Sequence, residues 1–326
     1  MKLIIQIPCF NEAATLPRTI HDLPRHIDGI DRIEVLIIDD GSKDGTAEVA
    51  ASEGADHVVR LIRNMGLAHA FSEGLEQSLK RGADIIVNTD ADNQYPGDSV
   101  AALIEPILQG HADIVVGDRN TGSIKHFSRT KKVLQKLGSL VVRWASATTV
   151  RDATSGFRAI TRDAAMQLNV FSNYTYTLET LIQAGRKGLV VTSVPVETNE
   201  TLRESRLIRS TSDYVLRSIA TILRIFLMYE PLRAFFTLGA LPLSAGLFLL
   251  TRFGYFYVQG QGQGHVQSLI VAAILVLLAF QTFLLGLLAD LIARNRRLQE
   301  ETRYRIRKIA LDRRTVHTVP EMESGG

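Results

Sequence analysis

Through the first 118 residues, short apolar runs alternate with longer stretches of helical spacing. The runs are Leu3–Ile7, Ile33–Ile38, His57–Ile62, Ala83–Val87 and Ala112–Val116, rich in β-branched side chains and bounded by polar turns. Between them, Gly45–Glu53, Gly66–Lys80 and Ser99–Leu108 read as helices, with Ser99 placed to cap the third and Gly110 to stop it. Strands of this length alternating with helices predict βα units and a mostly parallel sheet. Ligands of such sheets sit at the carboxyl ends of the strands. The polar residues just after each run are therefore the ones expected to carry chemistry.

The pattern changes near residue 234. Eighteen residues from Ala234 to Thr251 contain no Asp, Glu, Lys or Arg, and 37 more from Phe253 to Ala289 contain none either, with His265 the one basic side chain. A bilayer core of about 30 Å is crossed by about 20 apolar residues of helix. Two spans are predicted, 234–254 and 267–290, joined by the glycine-rich turn Gln259–Gly264. Arg217, Arg224 and Arg233 precede the first span and Arg294, Arg296 and Arg297 follow the second, whereas the turn has no Lys or Arg. This asymmetry predicts a multi-pass protein of the cell (inner) membrane with both termini cytoplasmic, Arg252 snorkelling toward the far interface. The run Lys2–Pro8 is too short and lacks a cleavage site, so no signal peptide is expected.

Composition adds two constraints. The 326 residues are 46% hydrophobic with a net charge of +3, which excludes a wholly disordered chain. A single cysteine, Cys9, excludes an internal disulfide framework and fits a reducing compartment. The charge is also divided, with −4 over residues 1–200 and +7 over residues 201–326. An acidic front argues against nucleic-acid binding there, and a basic back suits an anionic membrane surface.

The strand ends are polar throughout: Pro8-Cys-Phe-Asn-Glu12, Asp39-Asp-Gly-Ser-Lys-Asp-Gly-Thr46, Arg63-Asn-Met-Gly66, Asn88-Thr-Asp-Ala-Asp-Asn-Gln94 and Gly117-Asp-Arg119. No Gly-x-Gly-x-x-Gly follows the first run and no P-loop is present, so a dinucleotide dehydrogenase or P-loop nucleotidase is not expected. Asp90, Asp92 and Gln94 place hard oxygen ligands on alternate residues, which suits Mg²⁺ or Mn²⁺ bound together with substrate phosphates. A calcium loop of EF-hand type fails, because Tyr95 stands in the place of its glycine and Ala101 in the place of its bidentate Glu. Adjacent Asp39 and Asp40 repel each other unless a cation or donor lies between them. The rim is thus expected to hold a nucleoside diphosphate and a divalent ion, with Asp39 or Asp40 accepting hydrogen bonds from base or ribose.

In this order, the motifs resemble glycosyltransferase family 2 with its GT-A fold. The segment Asp152-Ala-Thr-Ser-Gly-Phe-Arg158 and two C-terminal spans resemble, more narrowly, the polyprenyl-phosphate glycosyltransferases. The resemblance implies a Rossmann-like, mostly parallel α/β domain over 1–205. Beyond it come an amphipathic interfacial segment over 206–233, a transmembrane hairpin over 234–292 and a basic cytoplasmic tail over 293–326. It implies nucleoside contacts at Pro8, Phe10, Glu12, Asp39 and Asp40, and a donor contact near Asn64. Asp90 and Asp92 match the family's Asp-x-Asp element, and Asp92 and Gln94 its direct metal ligands. Arg119 matches the family's Gly-Ser/Thr-Arg, here Gly-Asp-Arg. Arg203-Glu-Ser205-Arg206 resembles its Arg-x-x-Ser-Lys, whose cations would screen donor diphosphate and acceptor phosphate.

The implied activity is inverting transfer of a sugar from a GDP- or UDP-sugar to the phosphate of undecaprenyl or dolichyl phosphate. A phosphate monoester is mostly dianionic at pH 7 and needs no strong base. Asp152 either orients the acceptor or acts as base, or else is a structural partner of Arg151 or Arg158. Arg206, Arg217 and Arg224 fall within about 20° on a helical wheel, opposite Val215, Ile219, Ile222 and Phe226, as expected of a helix lying in the membrane interface. Lys125, Arg129, Lys131, Lys132 and Lys136 make a second basic cluster, and the run from Arg294 to Arg314 reads as a solvated helix. A processive polysaccharide synthase would need Gln-x-x-Arg-Trp, but Leu140 stands where Gln is required before Arg143-Trp144. Other acceptors, a non-catalytic membrane-anchored sugar-nucleotide binder and self-association of the two spans remain open alternatives.

Overall fold

The computed structural model describes residues 1–119, 150, 152–170, 176–199, 227 and 229–317. The lysine-rich cluster at 125–136, Arg143-Trp144, Arg151, the Arg203–Arg206 motif and the amphipathic segment up to residue 226 lie outside the described residues. The chain divides into two compact units, Met1–Ser218 with Thr302–Gly326, and Ile219–Glu301.

All five apolar runs are strands: β1 Lys2–Cys9, β2 Arg32–Asp39, β3 His57–Arg60, β4 Ile85–Asn88 and β5 Ile114–Asp118. Two more follow, β6 Arg158–Thr161 and β7 Val191–Pro195, giving one sheet of order β3-β2-β1-β4-β6-β5-β7. β6 is antiparallel to both its neighbours, and the other pairs are parallel. Inner strands covered on both faces must be largely apolar on both, which is why β1 and β2 read as Leu/Ile/Val runs interrupted only by Gln6 and Glu34. Leu3, Ile5 and Ile7 face one layer and Ile4 the other, all fully buried; each such side chain contributes roughly 1.5–3 kcal/mol on burial.

Helices α1 Leu16–Asp22, α2 Thr46–Ser52, α3 Leu67–Lys80, α4 Ser99–Leu108, α5 Arg162–Gln167 and α6 Thr177–Arg186 complete this unit. The cap of α4 is Asp98, without a side-chain cap bond, so Ser99 is already inside the helix. Gly110, at φ +71°, ends the segment as its sequence position suggested. α1 begins with a proline in its first turn, where a missing N–H costs nothing. α5 is capped by Thr161, whose hydroxyl accepts from the Ala164 N–H at 3.2 Å.

The antiparallel β6 determines what meets at the sheet's rim. Arg158, its first residue, pairs with Asn88 at the end of β4 and with Val116 near the end of β5. The turn before β6 therefore reaches the same edge as the loops after β4 and β5. The chain after β7 arrives there too: the Asn199 N–H donates to Gln94 O at 2.9 Å, and its Nδ2 to Asn93 O at 2.9 Å.

In the second unit, α7 Pro231–Val258 and α8 Val266–His317 are joined through a short 3₁₀ turn, Gly262–His265. Both are long and apolar enough to cross a membrane, and only 17% of each apolar window is buried, where a hairpin in a soluble core would be covered. Gly239 and Gly246 on α7 meet Ala272 and Ala279 on α8; a Cβ on Gly246 would stand 3.2 Å from Ala272 O, and one on Gly239 2.6 Å from the Phe283 ring. The spacing of seven on both helices is that of a left-handed pair, with small residues letting the backbones approach. Large side chains such as Leu247, Phe248, Leu277 and Phe280 point outward.

α8 runs on past the second predicted span, through the basic run that also reads as helix. Residues 291–317 contain neither Gly nor Pro to stop it, and Arg294–Asp290 and Arg296–Glu300 pairs brace its surface at 2.8 and 2.9 Å. From Thr302 it belongs to the first unit and is more than a solvated tail. Tyr304 Oη donates to Asp163 Oδ1 at 2.8 Å. Arg307 Nη1 donates to the carbonyls of Met166 and Leu168, both at 3.3 Å, and its Nη2 lies 3.2 Å from Glu76. Carbonyls at the end of α5 lack helical partners and attract a cation.

At the opposite end of the sheet, Glu34 is buried and takes Lys2 Nζ at 2.8 Å, Arg32 Nε at 2.6 Å and His57 Nε2 at 3.0 Å. Burial pushes its carboxyl up, but the Lys2 and His57 hydrogen bonds outweigh this and hold it below the ordinary 4.5. A lowered folded pKa gives stability that is present above 4.5 and is lost as pH falls through the folded value. Glu34→Gln is therefore expected to lower thermal stability at pH 7, by on the order of 1–2 kcal/mol. Melting curves in detergent should show this difference from the parent shrink as pH falls from 4.5 through the lower folded value.

Candidate functional site

The rim is built from loops that hydrogen-bond to one another. After β1, Asn11 takes φ +55°, a left-handed conformation that Asn tolerates better than most residues. Its N–H donates to Ser42 Oγ at 2.8 Å, and its side-chain oxygen accepts from Lys43 N at 3.0 Å. Glu12 N donates to Thr46 Oγ1 at 3.0 Å and Ala13 N to Asp44 Oδ2 at 3.1 Å. The first loop is thereby zipped to the second. Pro8 lies buried at the end of β1, Glu12 is buried and accepts from Thr15 Oγ1 at 2.9 Å, and Phe10 is exposed.

The two adjacent carboxylates are separated by donors from the protein itself. Asp39, fully buried, accepts from Ser42 N at 2.9 Å and has Arg60 Nε 3.5 Å from its second oxygen. Asp40 accepts from Met65 N at 2.7 Å and from Gly66 N at 2.8 Å, one amide to each oxygen. Backbone amides of these loops thus supply hydrogen-bond donors to both carboxylates. Gly41 permits the arrangement: its φ is +72°, and a Cβ there would lie 2.6 Å from the Arg63 backbone. Asn64 is exposed at the tip of the loop that Asp40 holds.

Asp90 and Asp92 are half-buried on the loop after β4. Asp92 Oδ1 accepts from Gln94 N at 3.2 Å, and Asn93 between them takes φ +54°. Tyr95 turns inward and stacks on Phe157, ring centroids 4.7 Å apart. Among the described residues no three acids, histidines or cysteines form a metal cage. Two carboxylates and an amide oxygen at a partly open strand end suit an ion that keeps waters and substrate phosphates as its other ligands.

Beside this loop, Arg119 and Asp152 form a two-pronged pair, Nε–Oδ2 at 2.7 Å and Nη2–Oδ1 at 3.1 Å, and Thr154 Oγ1 bonds to both partners. Burial pushes Asp152 up, but the Arg119 fork and the Thr154 hydroxyl outweigh it and leave the carboxyl below its ordinary range. Burial opposes the Arg119 charge, and the Asp152 hydrogen bonds more than restore it. Asp152 thus pairs with Arg119 and not with Arg158. Arg158, fully buried, donates instead to the carbonyls of Ala153, Ser155 and Thr177 and to Thr180 Oγ1, at 2.7–2.9 Å.

Two residues at the rim carry no motif of their own. Asn199 clamps the loop of Asp92 from the far side, and Asn88, fully buried, joins three segments beneath it. Only the polar residue at the end of an apolar run, in Ile85-Ile-Val-Asn88, hinted at the second.

Residues 4–168 match glycosyl transferase family 2. The chain is 30% identical over 206 residues to an undecaprenyl-phosphate mannosyltransferase of Micrococcus luteus, covering 60% of this chain and 83% of that one. It is 26% identical over 214 residues to a polyprenol monophosphomannose synthase of Mycolicibacterium smegmatis, covering 61% and 78%. Among solved structures, glucosyl-3-phosphoglycerate synthase of Mycobacterium tuberculosis in complex with Mn²⁺, UDP and glucosyl-3-phosphoglycerate has a TM-score of 0.52 at 22% identity, covering 68% and 79%.

The clamp on the third loop gives a direct expectation. Asp40→Asn places an amide nitrogen opposite one of two N–H donors and leaves that donor unsatisfied, at a cost of roughly 1–3 kcal/mol. Hydrogen exchange should show the Met65 and Gly66 amides losing protection while those of β1 keep theirs.

Proposed function

Because this chain belongs to glycosyl transferase family 2, we propose that it transfers a sugar from a nucleoside-diphosphate sugar, with inversion, to the phosphate of a polyprenyl phosphate. The observation that carries the acceptor is the apolar hairpin of α7 and α8 in the same chain as the glycosyltransferase domain; a water-soluble acceptor would not require it. Two relatives named for undecaprenyl-phosphate and polyprenol substrates support the same reading.

In this reading the nucleoside lies on the zipped loops after β1 to β3, near Pro8, Phe10, Glu12, Asp39, Asp40 and Asn64. Asp90, Asp92 and Gln94 would hold a Mg²⁺ or Mn²⁺ ion, which when bound neutralises charge on the leaving diphosphate. Arg203, Ser205 and Arg206 would gather the two phosphates. Asp152, ionised and engaged by Arg119, holds that guanidinium in place and orients the acceptor, which brings its own nucleophilic oxygen. Catalysis then consists of alignment and charge stabilisation. The arginine flanks support a cytoplasmic side for the domain and both termini.

The test is transfer from a panel of labelled GDP- and UDP-sugars to undecaprenyl phosphate in detergent, with Mg²⁺ or Mn²⁺ and with EDTA. One donor is expected to give a lipid-linked sugar only with metal, and Asp92→Ala to abolish it. Absence of product from every donor despite nucleotide binding would move the weight to another acceptor or a non-catalytic role. The rate should rise with pH through about 6, where the acceptor phosphate loses its second proton. Since the carboxyl of Asp152 lies below 3.8, Asp152→Asn should lower the rate without moving that midpoint.

A further inference from the structure

The buried side chain of Asn88 has no assigned part in the site, yet every one of its hydrogen-bonding groups is used. Its Oδ1 accepts from Gln6 Nε2 at 2.9 Å, and its Nδ2 donates to Gly156 O at 2.8 Å and to Tyr176 Oη at 3.0 Å. A carbonyl can only accept, so the Gly156 bond fixes which way the amide faces. One side chain at the end of β4 therefore ties β1, the turn before β6 and the cap of α6 together. Tyr176 is held independently by stacking on Phe71, with centroids 3.8 Å apart and planes 7° from parallel.

What the amide holds is the floor under Asp90. A Cβ on Gly156 would stand 3.1 and 3.4 Å from the two Asp90 carboxylate oxygens and 2.9 Å from Tyr176 Oη. The place a side chain at Gly156 would fill thus borders the Asp90 carboxylate. If the Gly156 peptide shifts, that carboxylate loses one surface that limits its rotation.

We infer that Asn88 is a positioning residue for the diphosphate site: by locking the Gly156 peptide and Tyr176, it fixes the orientation of the Asp90 carboxylate. This rests on the reading of Asp90 and Asp92 as the ion-binding side of the rim. Asn88 itself touches neither ion nor substrate; it acts through Gly156. Residues that set the orientation of metal ligands typically change affinity or activity by about 10–100-fold when removed.

The experiment titrates Mn²⁺ onto the full-length protein in detergent with UDP and separately with GDP, following free Mn²⁺ by electron paramagnetic resonance. Melting curves and hydrogen exchange of residues 153–157 are recorded without metal. Asn88→Ala is expected to weaken Mn²⁺ binding about tenfold or more and to release the 153–157 amides, at temperatures where the variant is fully folded. Tyr176→Phe keeps the ring on Phe71 and removes one bond to the amide, so a smaller change in the same direction is expected. It carries the test if Asn88→Ala does not fold. Unchanged Mn²⁺ binding in the variant that folds, with only a lower melting temperature, would overturn the inference and leave Asn88 a core residue. Asp92→Asn separates the two levels: if it too binds Mn²⁺ as the parent does, the ion-site reading has failed and this inference with it.

Discussion

A carboxylate that accepts two backbone amides, Asp40 beneath Met65 and Gly66, is the contact on which the rim's shape depends. It turns the loop after β3 back onto the loop after β2, and Gly41 is the residue that lets the two backbones pass. Asp39 does the same within its own loop through Ser42, and Asp44 reaches across to Ala13 in the first. Much of the acidity concentrated at these strand ends is thereby consumed in holding the loops. Preorganised donors and acceptors of this kind need no rearrangement when a charged ligand arrives. Asp90 and Asp92, on the loop after β4, are only half-buried.

The antiparallel β6 is the second constraint. A strand running the usual way would have delivered its following loop to the rim, whereas β6 delivers its preceding turn. That is how Asp152, Thr154 and Gly156 come to stand beside Arg119 and Asp90. Asp152 and Arg119 each offset the burial penalty of the other, which gives Asp152 a structural partner at the rim. In the proposed reaction the acceptor phosphate brings its own charge, so a protein base is not called for.

Much of this was legible in the residues. The five apolar runs are strands because buried parallel strands must be apolar on both faces, and the two charge-free stretches are helices for want of any polar interruption. The acidic loops were legible as a cluster, but their internal use was not, since it depends on backbone amides that no pattern of side chains reveals. β6 and β7 were missed because the buried Arg158 argues locally against a core strand and Val191-Thr-Ser-Val-Pro195 is broken by polar residues and a proline. α8 continues beyond the second span because the loss of hydropathy after Ala289 is not a helix stop. Asn88 could not be weighed, because its partners lie 68 and 88 residues away.

The central claim is that the lipid's phosphate oxygen attacks the sugar carbon and that the nucleoside diphosphate leaves whole. Mass spectrometry of the lipid product from an ¹⁸O-labelled polyprenyl phosphate tests it most directly. The account predicts a sugar phosphodiester with one phosphorus per lipid, all label retained, and an equimolar nucleoside diphosphate. A product with two phosphorus atoms per lipid and a nucleoside monophosphate would contradict it, since the sugar would then have moved with its phosphate.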